Sequence, residues 1–81
     1  DDMVEGIRLE RIVKEAVTRV DGGFREVLIL RDVEDLSYDE IASVTGLPTG
    51  TIKSRIHRGR VQLRAEVERM LGEKRGKGKK S

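Results

Sequence analysis

Two residues, Gly46 and Pro48, interrupt an otherwise helical pattern and constrain the second half of the chain more than any other feature. Upstream, Ser37 with Glu40 three residues on forms a capping box, which predicts a helix starting at Tyr38. That helix runs only to Thr45, because Gly46 supplies a left-handed turn and Pro48 forbids continuation. Downstream, Thr49 is a capping candidate for a long helical pattern. Ile52 and Ile56 stand four apart there, and Leu63 and Val67 extend the same stripe, so one helix face is expected to be buried. A two-turn helix, a tight turn on glycine and a second helix make a helix-turn-helix. Ala42 is small where the helices cross, and Ile41, Val44, Leu47, Ile52 and Ile56 supply a shared apolar seam.

The neighbouring face of the second helix carries Lys53, His57 and Arg60, with Ser54, Arg55 and Arg58 beside them. An arginine-rich face is ordinarily just solvated surface. Behind a helix-turn-helix brace, a face this rich in cations and hydrogen-bonding groups suits the major groove of DNA. Charge distribution points the same way. Residues 1–45 hold six Lys and Arg against twelve Asp and Glu, a balance of −6. Residues 46–81 hold eleven against three, a balance of +8, so the positive potential is concentrated where phosphates would be met.

Several function classes are disfavoured by what the 81 residues lack. There is no Cys, so neither disulfides nor thiolate metal sites are available. His57 is the only histidine, too few for a catalytic triad or a zinc site. Glu66 and Glu68, two apart on a helix, face different sides and form no acid/base pair. The C-terminal glycines lack the spacing of a phosphate-binding loop. With Phe24 and Tyr38 as the only aromatics, there is no stacking platform for single-stranded nucleic acid. These readings predict no catalytic residue, no metal and no cofactor. No apolar run is long enough to span a membrane and no secretory signal is visible, so a cytoplasmic protein is expected. Opening on Asp1 rather than Met fits a piece of a longer chain.

The fold class expected is all-α: a four-helix domain over residues 9–71 with a C-terminal helix-turn-helix. Residues 1–8 are expected to be a linker, its acidic start frayed. The first helix spans about Ile7 to Val20, and Asp21-Gly22-Gly23 breaks it. The second runs from about Gly23 to Val33. Its run Val27–Leu30 would pass for a buried strand in isolation, but no partner strand is visible. Gly72 is expected to stop the fourth helix, leaving residues 72–81 as a disordered basic tail. The expected core is Val13, Ala16, Val17, Val20, Phe24, Val27, Leu28, Ile41, Ala42, Val44, Leu47, Ile52, Ile56 and Leu63.

Three segments taken together carry a family resemblance. They are Phe24 through Glu34 (FREVLILRDVE), Leu36 through Ala42 (LSYDEIA) and Gly50 through Arg60 (GTIKSRIHRGR). This pattern resembles region 4 of bacterial sigma factors, most closely the extracytoplasmic-function group of the sigma-70 family, over roughly residues 9–71. The resemblance implies binding to the −35 element of double-stranded promoter DNA within RNA polymerase holoenzyme. It also implies docking on the flap of the polymerase β subunit and masking by an anti-sigma factor. Carried over by position, Lys53, Ser54 and His57 face base edges. Thr49, Gly50, Thr51, Arg55, Arg58 and Arg60 hold phosphates, with amides at the helix start assisting. Region 2, which opens the −10 element, is absent, so the piece alone is not expected to initiate transcription.

The chain departs from the family pattern at three places. Val20-Asp21-Gly22-Gly23 stands where Leu-Pro-Glu-Glu or similar is usual, so a looser first turn is expected. Thr45 replaces a common Leu, and Gly59 a common Ala, at a helix-propensity cost on the order of 1 kcal/mol. Alternatives stay open for three residues: Arg55 turned inward onto an acid of the earlier helices, His57 simply exposed, and Tyr38 structural or touching a phosphate. Two other functions compete with promoter reading. One is a surface mainly for protein partners, motivated by the acidic first half. The other is the helix-turn-helix effector domain of a different bacterial regulator.

Overall fold

The computed structural model describes residues 2–76. Helix α1 spans Asp2–Val17, and α2 spans Gly22–Leu28 before passing directly into a π-helical turn, Ile29–Val33. Helix α3 spans Tyr38–Thr45 and α4 spans Thr49–Gly76. There is no strand among the described residues, and the apolar run Val27–Leu30 lies on the second helix and its π turn.

The helix-turn-helix forms as the capping chemistry requires. The Glu40 amide donates to Ser37 Oγ at 3.0 Å, and the Ser37 amide donates to Glu40 Oε1 at 2.8 Å, so both halves of the box are closed. Gly46 ends α3 at φ 78°, a left-handed conformation that glycine adopts without steric cost, and its amide donates to Ala42 O at 2.8 Å. Thr45 reinforces the turn: its Oγ1 donates to Ile41 O at 2.8 Å and accepts from the Leu47 amide at 3.2 Å. Ser37→Ala is expected to cost about 0.5–2 kcal/mol, read in urea or thermal melts. A loss near zero would mean the box adds nothing to the brace.

Two apolar clusters share α4. Val27, Leu28, Ile41, Ile52 and Ile56, each no more than 2% exposed, join α2, α3 and the front of α4. Ile12, Ala16 and Met70 join α1 to its rear. Leu63 packs against both. The buried side of α4 therefore reads Ile52, Ile56, Gly59, Leu63, Val67 and Met70, a helical stripe in which Gly59 occupies a core position. A Cβ added at Gly59 would lie 3.3 Å from both Phe24 Cβ and Phe24 O. Glycine there lets α4 approach Phe24 of α2 closely.

Several expectations are corrected. Val44 is 64% exposed, because the two-turn α3 presents a narrow line to its neighbours and Thr45, four residues after Ile41, takes the inner position. Ile12 and Met70 are buried although neither is in the expected core. Val13, Val17, Phe24, Ala42, Leu47 and Leu63 are half-buried rather than central. Thr49 is not the cap of α4: Pro48 O accepts from the Ile52 amide at 3.0 Å, which puts Pro48 at the cap and Thr49 one position inside. Gly72 does not stop α4, which continues to Gly76 through Glu73, Lys74 and Arg75. A single internal glycine costs about 1 kcal/mol, and good helix formers follow it with no proline. The remainder of the expected tail, residues 77–81, lies outside the described residues. At the other end, the stretch assigned to a linker is helical from Asp2 onward.

The first inter-helix turn is tied rather than loose. The Asp21 amide donates to Gln62 Oε1 at 2.9 Å, and Gln62 Nε2 donates to Asp21 Oδ2 at 3.1 Å. Arg25 Nη1 donates to the carbonyls of Thr18 and Val20 at 3.1 and 3.0 Å. After the π turn the Glu34 amide reaches back five residues to Ile29 O at 2.9 Å, and Asp35 adopts φ 63°. Arg31 Nη1 then donates to Leu36 O at 2.8 Å, closing the corner ahead of α3. None of the described helices is long and apolar enough to cross a membrane.

Candidate nucleic-acid interface

Burial of Ile52 and Ile56 decides which way the rest of α4 points. At about 100° per residue, Ser54 falls opposite the Ile52–Ile56 edge, Lys53 and His57 on one shoulder and Arg58 on the other. All four are exposed, as are Thr49 and Gly50 at the start of the helix, while Thr51 and Arg55 are half-buried. Lys53, Ser54 and His57 thus share one outward surface, flanked by Arg60 on the Lys53 side and Arg55 on the Arg58 side. Among the described residues no carboxylate pairs with Lys53, Arg55 or Arg58. Arg55 does not turn onto an acid of the earlier helices. Its Nη1 lies over Gly23, 3.2 Å from where a Cβ would stand, so the glycine makes room for the guanidinium. Phe24, Gly50, Thr51, Ser54, Arg55 and Arg58 line an open depression there.

Arg60 behaves differently from the other arginines. Its Nη2 donates to Asp32 Oδ1 at 2.6 Å and its Nε to Asp32 Oδ2 at 3.1 Å, a two-pronged pair linking α4 to the π turn. The hydrogen bond to Asp32 first, and the charge of the same carboxylate after the opposing effect of burial, raise the Arg60 pKa above its already high value. This fork geometry directs Nε and Nη2 at Asp32 and leaves Nη1 out of the pair. Both partners are partly solvated, so the pair contributes little to stability and chiefly fixes orientation.

Sequence reasoning gave neither the contact of Tyr38 with Lys53 nor the place of Val61 beside this surface. Tyr38, half-buried on the first turn of α3, has Lys53 Nζ 5.3 Å from its ring centroid and Arg31 Cζ 4.9 Å from it. Val61, 57% exposed, continues the outward face beyond His57 and shares a shallow depression with His57, Arg60 and Arg64. The spacing of His57, Val61 and Arg64 by four and three residues was a readable signal for the second of these. Nothing in the sequence ties Tyr38 to Lys53 until α3 and α4 are packed. Among the described residues there is no cluster of three or more His, Cys, Asp or Glu able to hold a metal.

An all-α helix-turn-helix domain with an exposed basic face is a class that many DNA-binding proteins share. Family comparison narrows it: the model for sigma-70, region 4 matches residues 10–63, and the chain belongs to that family. Among similar proteins is the ECF RNA polymerase sigma factor SigW of Bacillus subtilis, 33% identical over 67 residues. That match covers 83% of this chain and 36% of SigW. The ECF RNA polymerase sigma factor SigE of Mycolicibacterium smegmatis is 46% identical over 57 residues, covering 70% of this chain and 22% of the relative. The ECF RNA polymerase sigma-E factor of Haemophilus influenzae is 33% identical over 63 residues, 78% of this chain and 33% of its own. The chain thus spans between about a fifth and a third of the length of these curated relatives.

Proposed function

We propose that this chain is the −35-reading part of an extracytoplasmic-function sigma factor, a cytoplasmic DNA-binding module and not an enzyme. In this reading it recognises promoter DNA while docked on the β-subunit flap of RNA polymerase, and an anti-sigma factor controls access to it. The observation that carries the proposal is the two-sidedness of α4. Ile52 and Ile56 are 0% and 2% exposed, while Lys53, Ser54, His57 and Arg58 stand in solvent on the other side. Lys53, Ser54 and His57 read base edges. Thr51, Arg55 and Arg58 hold phosphates, helped by the α4 start at Thr49 and Gly50, whose free amides favour an anion. Arg60 meets a phosphate with Nη1 while Asp32 holds Nε and Nη2.

Binding selection on randomised duplexes, by the chain joined to a sigma region 2, tests the proposal. Enrichment of one short motif supports it, and recovery of unselected sequence counts against it. Arg58→Ala is expected to weaken binding to all duplexes alike and to flatten the slope of log affinity against log salt by about one. A loss confined to one sequence would instead make Arg58 a base reader.

The second reading, a surface mainly for protein partners, draws on the acidic first half and on Val33 and Val44, 69% and 64% exposed. A duplex titration at low and high salt separates the two, since no complex even at low salt favours the protein surface. Both readings hold together if a partner covers the basic face and shuts off promoter binding.

A further inference from the structure

The geometry points to Tyr38 as a positioning residue for Lys53, one that sharpens base discrimination without itself reading a base. This inference rests on the base-reading role proposed above for Lys53. A lysine on an exposed helix face has a long stem with many rotamers, and fixing one of them on binding costs entropy. Here the ammonium lies 5.3 Å from the Tyr38 ring centroid, within reach of the negative face of an aromatic ring. The ring is itself held. It packs against the cluster around Ile41 and Ile52, and it begins α3 immediately after the closed Ser37–Glu40 capping box. Arg31 also lies over the ring at 4.9 Å, and its Nη1 is fixed on Leu36 O at 2.8 Å. Lys53 is therefore drawn towards α3 before DNA arrives, and its donors remain free because the ring accepts none in a conventional hydrogen bond. A tethered donor samples fewer base positions than a free one, which raises selectivity at the position it reaches.

The test uses the 81-residue chain with Tyr38→Phe, Tyr38→Leu, Lys53→Ala, and Tyr38→Leu combined with Lys53→Ala. Without DNA, the Lys53 side-chain methylene protons should show upfield ring-current shifts in the parent and Tyr38→Phe, and lose them in Tyr38→Leu. With DNA, the readout is the affinity ratio between the selected duplex and one changed at the base pair where Lys53→Ala loses discrimination. Tyr38→Leu should lower that ratio about two- to five-fold, the range of an exposed cation–π contact. Tyr38→Phe should keep it, and Tyr38→Leu should add no further loss once Lys53 is replaced by alanine. Melting curves confirm that each variant is folded at the assay temperature. Unchanged Lys53 shifts in Tyr38→Leu overturn the inference. So does an equal drop in the presence and absence of Lys53, which marks a general structural effect. A ratio that rises in Tyr38→Leu overturns it too, because the ring would then be withholding Lys53. If Lys53→Ala leaves discrimination unchanged, both the reading role and the inference fall, while the DNA-free shifts still report whether the ring contact existed.

Discussion

Ile52→Ala is expected to destabilise the chain by about 2–5 kcal/mol and to lower its melting temperature by on the order of 10 °C or more. Ile52 is fully buried among Val27, Leu28, Ile41 and Ile56, at the point where α2, α3 and α4 meet. Truncation removes three carbons from a site that neighbours on three elements cannot collapse to fill, so the cavity cost adds to the lost transfer energy. A domain of this size typically has roughly 4–12 kcal/mol to lose. The variant is therefore expected to populate unfolded chain measurably at 37 °C. Ile52→Val, which removes one methyl, is expected to cost only about 0.5–1.5 kcal/mol. Urea titrations of both read the difference directly. A loss below about 1 kcal/mol for Ile52→Ala would mean that this face of α4 is not the packed one, and the outward direction of Lys53 would lose its basis.

The brace and the recognition helix were legible because each is specified by local chemistry. A capping box, a left-handed glycine and a proline act within a few residues of themselves, so Ser37, Gly46 and Pro48 place α3 and the turn wherever the rest of the chain goes. What stayed hidden depends on pairs far apart in sequence. Burial of Ile12 is decided by Met70, and no periodicity reveals that α1 lies along the rear of α4. Val44 looked like seam and is surface, because helix α3 is too short to bury a second line.

Departures from the family pattern are legible in the sequence, but the neighbours each one meets are not. Gly59 reads as a helix-propensity defect until its position on the Ile52–Ile56–Leu63 stripe is set against Phe24, 3.3 Å from the missing Cβ. Thr45 in place of a leucine reads as lost packing, yet its hydroxyl bonds Ile41 O and the Leu47 amide and stiffens the turn. Gly23 in place of an acidic residue leaves space that Arg55 occupies. For the interface, the outward placement of Lys53, Ser54, His57 and Arg58 follows from helical geometry once Ile52 is known to be inside. The Arg60–Asp32 pair does not follow, since twenty-eight residues separate its partners.

Lys53→Ala is expected to remove about 1–3 kcal/mol of discrimination at the base pair it contacts, while leaving binding to unrelated duplexes nearly unchanged. The contrast with Arg58→Ala follows from where the two side chains sit. Arg58 belongs to the shoulder that also carries Thr51 and Arg55, beside the depression at the start of α4, and a phosphate held there is the same for every sequence. Lys53 is on the opposite shoulder next to His57, its ammonium 5.3 Å from the Tyr38 ring centroid, and in the proposed reading its donors would meet base acceptors that differ from one pair to the next. Affinity measured for the selected duplex and for each single-base change should therefore show a local flattening for Lys53→Ala, confined to one or two positions. The stability of the chain should move little, because Lys53 is exposed and holds no ion pair among the described residues. A uniform drop on every duplex would place Lys53 among the phosphate contacts and leave Ser54 and His57 as the remaining readers of sequence.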